Sequence, residues 1–206
     1  MWLHRILEFS SIYNQLQRHV GSGNVRRFFA ENYIRANSSS AILDLGCGPG
    51  TMLDFVPEFG SYLGLDSNPR YIEACVRRYG PPREFQVADV APAVPLLSAR
   101  FDIAMAVGVL HHLPDEAACR LLRNAFAALK PGGRLVTIDQ VYRAGQPVLA
   151  RLLNRLDRGH FIRTDAAYEA MARSVFPAVR RFDFSGRLVL PVTHCVMECV
   201  KPATVS

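Results

Sequence analysis

The segment Ile42-Leu43-Asp44-Leu45-Gly46-Cys47-Gly48-Pro49-Gly50 decides how this chain is read. A short apolar run bounded by turn residues reads as a buried strand. Here it leads directly into Gly-x-Gly-x-Gly. Glycine is needed where the backbone turns sharply or lets a ligand approach closely. Dinucleotide sites space their glycines Gly-x-Gly-x-x-Gly, which seats a pyrophosphate at a helix N-terminus. This spacing is shorter, and Asp44 stands two residues before the first glycine. A carboxylate there disfavours a pyrophosphate and suits the ammonium of an amino-acid-bearing ligand. That contrast separates a nucleoside–amino-acid ligand from NAD.

Working outward, strand and helix patterns alternate. A helix is expected near Thr51–Val56, a strand at Tyr62–Leu65, a helix at Tyr71–Tyr79 and strands at Glu84–Ala88 and Phe101–Val107. Glu116–Leu129 places Leu121, Leu122, Ala125, Phe126 and Leu129 on one helical face. Pro131-Gly132-Gly133 should stop that helix before a fifth strand at Arg134–Ile138. This order implies a mostly parallel sheet covered on both faces. Further on, Gln146–Leu156 and Thr164–Phe176 read as helices, with Thr164 as N-cap. Val179–Phe184 and Leu188–Val200 read as strands joined at Ser185-Gly186, hence antiparallel.

Upstream, Leu3, Ile6, Leu7, Ile12, Leu16 and Val20 fall at helical spacing, and Gly21-Ser22-Gly23 breaks the run. Val25, Phe28, Phe29, Tyr33 and Ile34 suggest a second helix ending near Asn37–Ser40. This front segment reads equally as a cap over a ligand site or as packing against the sheet edge.

The bulk composition is that of one globular α/β domain of 206 residues. The net charge of +6 is almost all arginine, since Lys130 and Lys201 are the sole lysines. The arginines are scattered, without a basic tail or a basic block interleaved with aromatics, so solvated faces explain them and nucleic acid is disfavoured. No apolar run is long enough to span a bilayer. Residues Met1–Gln17 lack the continuous apolar stretch of a secretory signal, which makes the cytoplasm the expected location. The five cysteines show no CxxC pair and no spacing suited to zinc, so reduced, buried thiols and no metal are expected.

Two further acids complete a pattern. Asp66, twenty residues after Gly46, ends the second strand and precedes Ser67, where a carboxylate can accept from a ribose diol. Asp89 ends the third strand, where it can accept from an adenine amine while the Val90 N–H donates to the ring. Singly, each fits a turn residue or helix cap. Three acids at three successive strand ends are far more specific, because open parallel sheets bind ligands there. After the fourth strand come His111 and His112, which can take a proton near neutral pH. His112 is expected nearer the cofactor, with His111 structural or substrate-facing.

The stretches ILDLGCGPG, GLDSNPRYIEAC, FQVADV, FDIAMAVGVLHHLPD and LKPGGRLVTID run in order over residues 41–139. Together they resemble the class I S-adenosylmethionine-dependent methyltransferases of the small-molecule type. The resemblance implies a Rossmann-like α/β fold with a seven-strand sheet, order 3-2-1-4-5-7-6 and strand 7 antiparallel. It implies one domain over 1–206, with an N-terminal helical cap at 1–38 and a helical insertion at 140–177 roofing the substrate site. Asp44, Gly46, Cys47, Gly48, Gly50, Asp66, Ser67, Asp89, Val90, Val107 and His112 would then hold S-adenosylmethionine, released as S-adenosylhomocysteine. Catalytic candidates are His111, His112 and Asp139. Substrate-binding candidates are Tyr13, Tyr142, Arg143, Arg158 and Arg163. The segments Asp157-Arg158-Gly159, Ile162-Arg163-Thr164 and Pro191-Val192-Thr193-His194 are similar to small bacterial methyltransferases of polysaccharide or specialised metabolism. A small-molecule acceptor, O-methylation and a monomer or homodimer follow as expectations. An RNA, protein or phospholipid acceptor and a non-catalytic S-adenosylmethionine-binding protein are the alternatives.

Overall fold

A computed structural model of the chain describes residues 22–91, 98–156, 160–184 and 193–203. Five helices are described: α1 (Ser22–Phe29), α2 (Pro69–Tyr79), α3 (Asp115–Ala128), α4 (Val148–Leu156) and α5 (Asp165–Arg173). The strands are β1 (Ala41–Leu45), β2 (Ser61–Asp66), β3 (Glu84–Val87), β4 (Phe101–Val107), β5 (Leu129–Tyr142), β6 (Arg163–Thr164), β7 (Ala178–Asp183) and β8 (His194–Val200). Their order is β3-β2-β1-β4-β5-β8-β7, with the two-residue β6 pairing off this path beside β5. The pairs among β1 to β5 are parallel, and β8 is antiparallel to both β5 and β7. Setting β6 aside, this is the expected order with its antiparallel strand. No helix among the described residues is long and apolar enough to cross a membrane.

Alternation along the strands builds two apolar layers, since successive side chains point to opposite faces. Leu43, Leu63, Ala104 and Leu135 pack beneath Leu121 and Leu122 of α3 and Tyr168 and Ala172 of α5. Ile42, Tyr62, Met105 and Val136 face the other way, against Phe29, Ile34, Met52 and Leu53. Both faces of the sheet are thus covered, which is why its central strands read as nearly unbroken apolar runs. Cys195 and Cys199 lie on one face of β8, as their even spacing requires. Cys47, Cys75, Cys195 and Cys199 are buried free thiols, and Cys119 is half-buried.

Several local readings are corrected. The helix expected at Thr51–Val56 is a three-residue 3-10 turn, Leu53–Phe55. Pro57 follows directly, and a residue before proline is steered away from helical backbone; Val56 is extended at φ −101°. Pro131-Gly132-Gly133 lies inside β5 rather than before it. Leu129 pairs with Phe101 and Arg134 with Ile103, so the residues between them bulge from the ladder. The second helix, α1, begins at Ser22, earlier than the Val25 start of its apolar pattern, and the segment at 3–20 with the break after it lies outside the described residues. That helix continues into a π turn, Ala30–Ile34, and stops at Arg35 in the left-handed region (φ 47°). The turn at Ser185-Gly186 lies outside the described residues. Thr164 caps α5 as expected, its side chain accepting from the Ala167 N–H.

Candidate active site

The carboxyl ends of β1 to β4 open on one crevice of about 470 Å³. The loop after β1 is held by its neighbour strand: the Gly46 and Cys47 amides both donate to Leu65 O, at 2.8 and 2.9 Å. Gly46 has φ 76°, and a Cβ there would lie 2.7 Å from Val109 Cγ2. Gly50 faces away from the crevice, where a Cβ would lie 2.8 Å from Tyr79 Cε2. Gly48 has open space where a side chain would stand. The loop therefore lets a ligand approach at Gly48 and packs tightly on either side of it.

Asp66 clamps this loop. Its Oδ2 accepts from the Gly48 N–H and its Oδ1 from the Asn68 N–H, both at 2.8 Å. Asp44 is buried at the tip of β1, where Oδ2 accepts from the Tyr62 hydroxyl at 2.7 Å. Burial pushes its carboxyl up to about 7, with the Asp66 charge adding to the rise and the Tyr62 hydroxyl opposing it. Asp89 is exposed at the third tip, and its Oδ1 accepts from the Ala91 N–H at 2.9 Å. Asp44, Asp66 and Asp89 line the same crevice, with Gly46, Cys47, Gly48, Ser67, Val90, Val107 and His112. Gly50 is absent from the lining because it packs against α2.

The two histidines occupy different surroundings. His112 is exposed and lines the crevice. His111 is buried, and its ring lies 4.1 Å from the His112 ring between centroids. Asp139, near the end of β5, accepts from His111 Nδ1 at 2.8 Å. Neither His111 nor Asp139 is part of the crevice wall.

The substrate-side arginines stand elsewhere than the expected clamp. Arg143 makes a bidentate pair with Asp165, at 2.7 and 2.8 Å, and a second pair with Asp183 at 2.6 Å. The Arg163 side chain is 8% exposed and pairs with Asp115 at 2.7 Å. It also donates to Leu110 O and Leu113 O, tying down the turn that carries the histidines. Neither arginine lines the crevice, and both hold local structure. Tyr142 is half-buried at the last position of β5, beside Thr164 of β6. Tyr13 and Arg158 lie outside the described residues.

Several lining residues, among them Thr51, Tyr71 and Arg26, are not site candidates of the sequence reading. Arg26 of α1 borders the crevice. The pair Arg26–Arg27 was read as a solvated face, and only the placement of α1 over the strand tips distinguishes its two members.

The crevice suits the cofactor that the motifs imply. Its volume falls in the usual range for small-molecule pockets. A buried carboxylate whose charge is disfavoured when alone fits an ammonium, and Met52, Val90, Val107 and Val109 give apolar walls for a base and a thioether.

Known proteins similar to this chain include methyltransferases. Residues 42–133 match a family described as "Methyltransferase domain". A protein in transposon TN4556 of Streptomyces fradiae is 37% identical over 49% of this chain. Acetylserotonin O-methyltransferase of Mus musculus is 30% identical over 68% of it. The chain spans 30% of the first relative's length and 40% of the second's. The S-adenosylmethionine-dependent methyltransferase SibL superposes with a TM-score of 0.71 at 20% identity, covering 93% of this chain and 57% of that one. With its strand-tip carboxylates, glycine loop and matched segment, the chain belongs to the class I S-adenosylmethionine-dependent methyltransferase family.

Proposed function

We propose that this protein transfers a methyl group from S-adenosylmethionine to a hydroxyl of a small-molecule acceptor. The observation that carries the reading is the convergence of Asp44, Asp66 and Asp89, from three adjacent strand tips, on one crevice beside Gly48. In this reading Asp44 receives the ammonium, with the Val107 carbonyl nearby. Asp66 takes the ribose diol. A carboxylate has about four acceptor positions, so the amides of Gly48 and Asn68 leave room for it. Asp89 and the Val90 amide take the adenine.

The bound cofactor supplies an activated methyl group, so the protein's task is alignment at close range. His112 stands at the crevice wall, where it can take the acceptor's proton. Asp139 holds His111 with Nδ1 as the donor, and the His111 ring lies in tilted contact with that of His112. The chain acts as one domain, with residues 1–38 and 140–177 enclosing the acceptor side. The O-methyltransferase named among its relatives supports the hydroxyl acceptor.

The test is incubation of native extract with the protein and isotopically labelled S-adenosylmethionine, read by mass spectrometry. A metabolite heavier by one labelled methyl group is expected. Calorimetry should show binding of S-adenosylhomocysteine and none of NAD; the reverse preference would sink the proposal.

A further inference from the structure

We infer that helix α4 docks this protein on an anionic lipid bilayer, its apolar side chains entering the interface and its arginines meeting the headgroup phosphates.

Helix α4 is held by one face. Ala150 and Asn154 are buried four residues apart, and the Asn154 side-chain amide donates to Val141 O of β5 at 2.9 Å. That anchor sets the rotation of the helix, because residues three and four apart share a face. Val148, Leu149 and Leu152 are thereby turned outward, 83%, 52% and 49% exposed. Among the described residues seven large apolar side chains are exposed, and four of them are these three and Phe161. Single exposed apolar residues are ordinary. Their concentration in one insertion marks an interaction surface. Phe161 donates its N–H to His111 O at 3.0 Å, which sets an exposed aromatic residue beside the turn of the two histidines.

Charge selects the occupant. Arg151 and Arg155 are exposed, and each follows an outward apolar residue, Val148 or Leu152, by three positions. Helix α4 contains no acid. Among the described residues neither guanidinium is paired. Two other arginines of the same insertion are held by acids, Arg143 by Asp165 and Asp183, and Arg163 by Asp115. A second copy of the chain fits poorly here. A two-fold contact sets the same patch against itself and would bring these arginines together. Three apolar side chains also fall well short of the roughly 800 Å² per partner that a stable protein interface buries. A bilayer needs no matching patch. Its acyl boundary receives the apolar side chains, and anionic headgroups attract the arginines. The net charge of +6 adds to that attraction.

The experiment is cosedimentation of the whole chain with vesicles of phosphatidylcholine and phosphatidylglycerol, and with vesicles of phosphatidylcholine alone. Wild-type protein should pellet with the mixed vesicles and stay in solution with the neutral ones, and added salt should weaken the binding. Arg151→Gln with Arg155→Gln should weaken it about 25-fold, about fivefold for each arginine. Val148→Gln, Leu149→Gln and Leu152→Gln together should weaken it about tenfold or more. Arg70→Gln with Arg123→Gln removes the same charge from exposed positions on α2 and α3. That variant should bind within about threefold of wild type. All seven positions are exposed, so the melting curves should coincide, and loss of fold would not imitate loss of binding. An equal loss in the Arg70 and Arg123 variant would reduce the effect to net charge and overturn the inference. So would wild-type protein that ignores the mixed vesicles, or binding that the α4 variants leave unchanged. Light scattering without vesicles completes the test: a dimer that the triple variant breaks would assign α4 to a second copy of the chain and overturn the inference as well.

Discussion

Asp139 Oδ1 accepts two hydrogen bonds from His111, one from the backbone N–H at 3.1 Å and one from ring Nδ1 at 2.8 Å. Both residues are buried. A carboxylate that accepts at Nδ1 places the ring proton there and fixes the orientation of the imidazole. Asp139→Asn keeps the volume and removes that control. Turnover on the true acceptor is expected to fall about 10²- to 10⁴-fold, the usual worth of a positioned acid–base group. Affinity for S-adenosylhomocysteine should stay within about threefold, because Asp139 does not line the crevice. Unchanged turnover would remove the pair from the mechanism.

Asp44 gives a pH prediction. Its carboxyl is raised in the folded protein from 3.8 to about 7 by burial. A raised carboxyl pKa stabilises the fold fully below the unfolded value, and that stability is lost as pH rises through the folded value. The ligand-free protein should therefore melt at a lower temperature near pH 8 than near pH 5 as far as this group decides. Asp44→Asn should flatten that slope and raise the alkaline Tm by a few degrees, while abolishing cofactor binding. An incoming ammonium favours the charged carboxylate, so binding should release a proton near neutral pH. Calorimetry in buffers of different ionisation enthalpy measures that proton directly, and its absence would detach Asp44 from the ammonium.

The glycine loop, the three acids and the strand order were legible because each is set by local pattern. Apolar runs mark the central strands, and an acid at a strand's end follows from where that strand ends. The place of Arg26 in the lining was not legible, since it depends on where α1 lies over the sheet and residues of one helical turn look alike in sequence. The arginines of the insertion failed for the opposite reason. Arg143 and Arg163 are cationic residues near the site in the chain, but Asp165, Asp183 and Asp115, which hold them, are brought to them by the fold. The short 3-10 turn after Gly50 was foreshadowed by Pro57, a signal that the helical reading of Thr51–Val56 passed over.

Arg163 tests whether that reassignment is right. Its guanidinium donates to Leu110 O at 2.9 Å, Leu113 O at 2.7 Å and Phe161 O at 2.9 Å, besides its pair with Asp115. Arg163→Met would strip partners from carbonyls on both sides of His111 and His112. A loss of about 2–4 kcal/mol is expected, given roughly 1–3 kcal/mol for each buried polar group left unpaired. For a domain of this size that lowers Tm by about 4–16 °C. A residue that only clamped substrate would instead raise KM and leave the melting curve where it was.

Gly64 lies on β2 beside the glycine loop, within reach of Cys47. It pairs with Asp44 on β1 and with Phe85 on β3. A Cβ added there would stand 2.9 Å from Phe85 Cδ1, 3.0 Å from Cys47 Sγ and 3.1 Å from Tyr62 Cε1. Two of these neighbours serve the site: Tyr62 donates to Asp44, and Cys47 belongs to the loop that Asp66 clamps through Gly48. Overpacking of a tight interior costs about 1–3 kcal/mol, and here the strain has to move the loop or the Asp44 partner. Gly64→Ala should therefore lower Tm and weaken S-adenosylhomocysteine about tenfold. Gly145→Ala is the comparison. That glycine has φ 73° and open space around its Cβ position, so alanine there meets backbone strain alone. It should destabilise by about 1–2 kcal/mol and leave ligand affinity unchanged. A Gly64→Ala protein that melts and binds as wild type does would show that the strand beside the loop yields more easily than its packing implies.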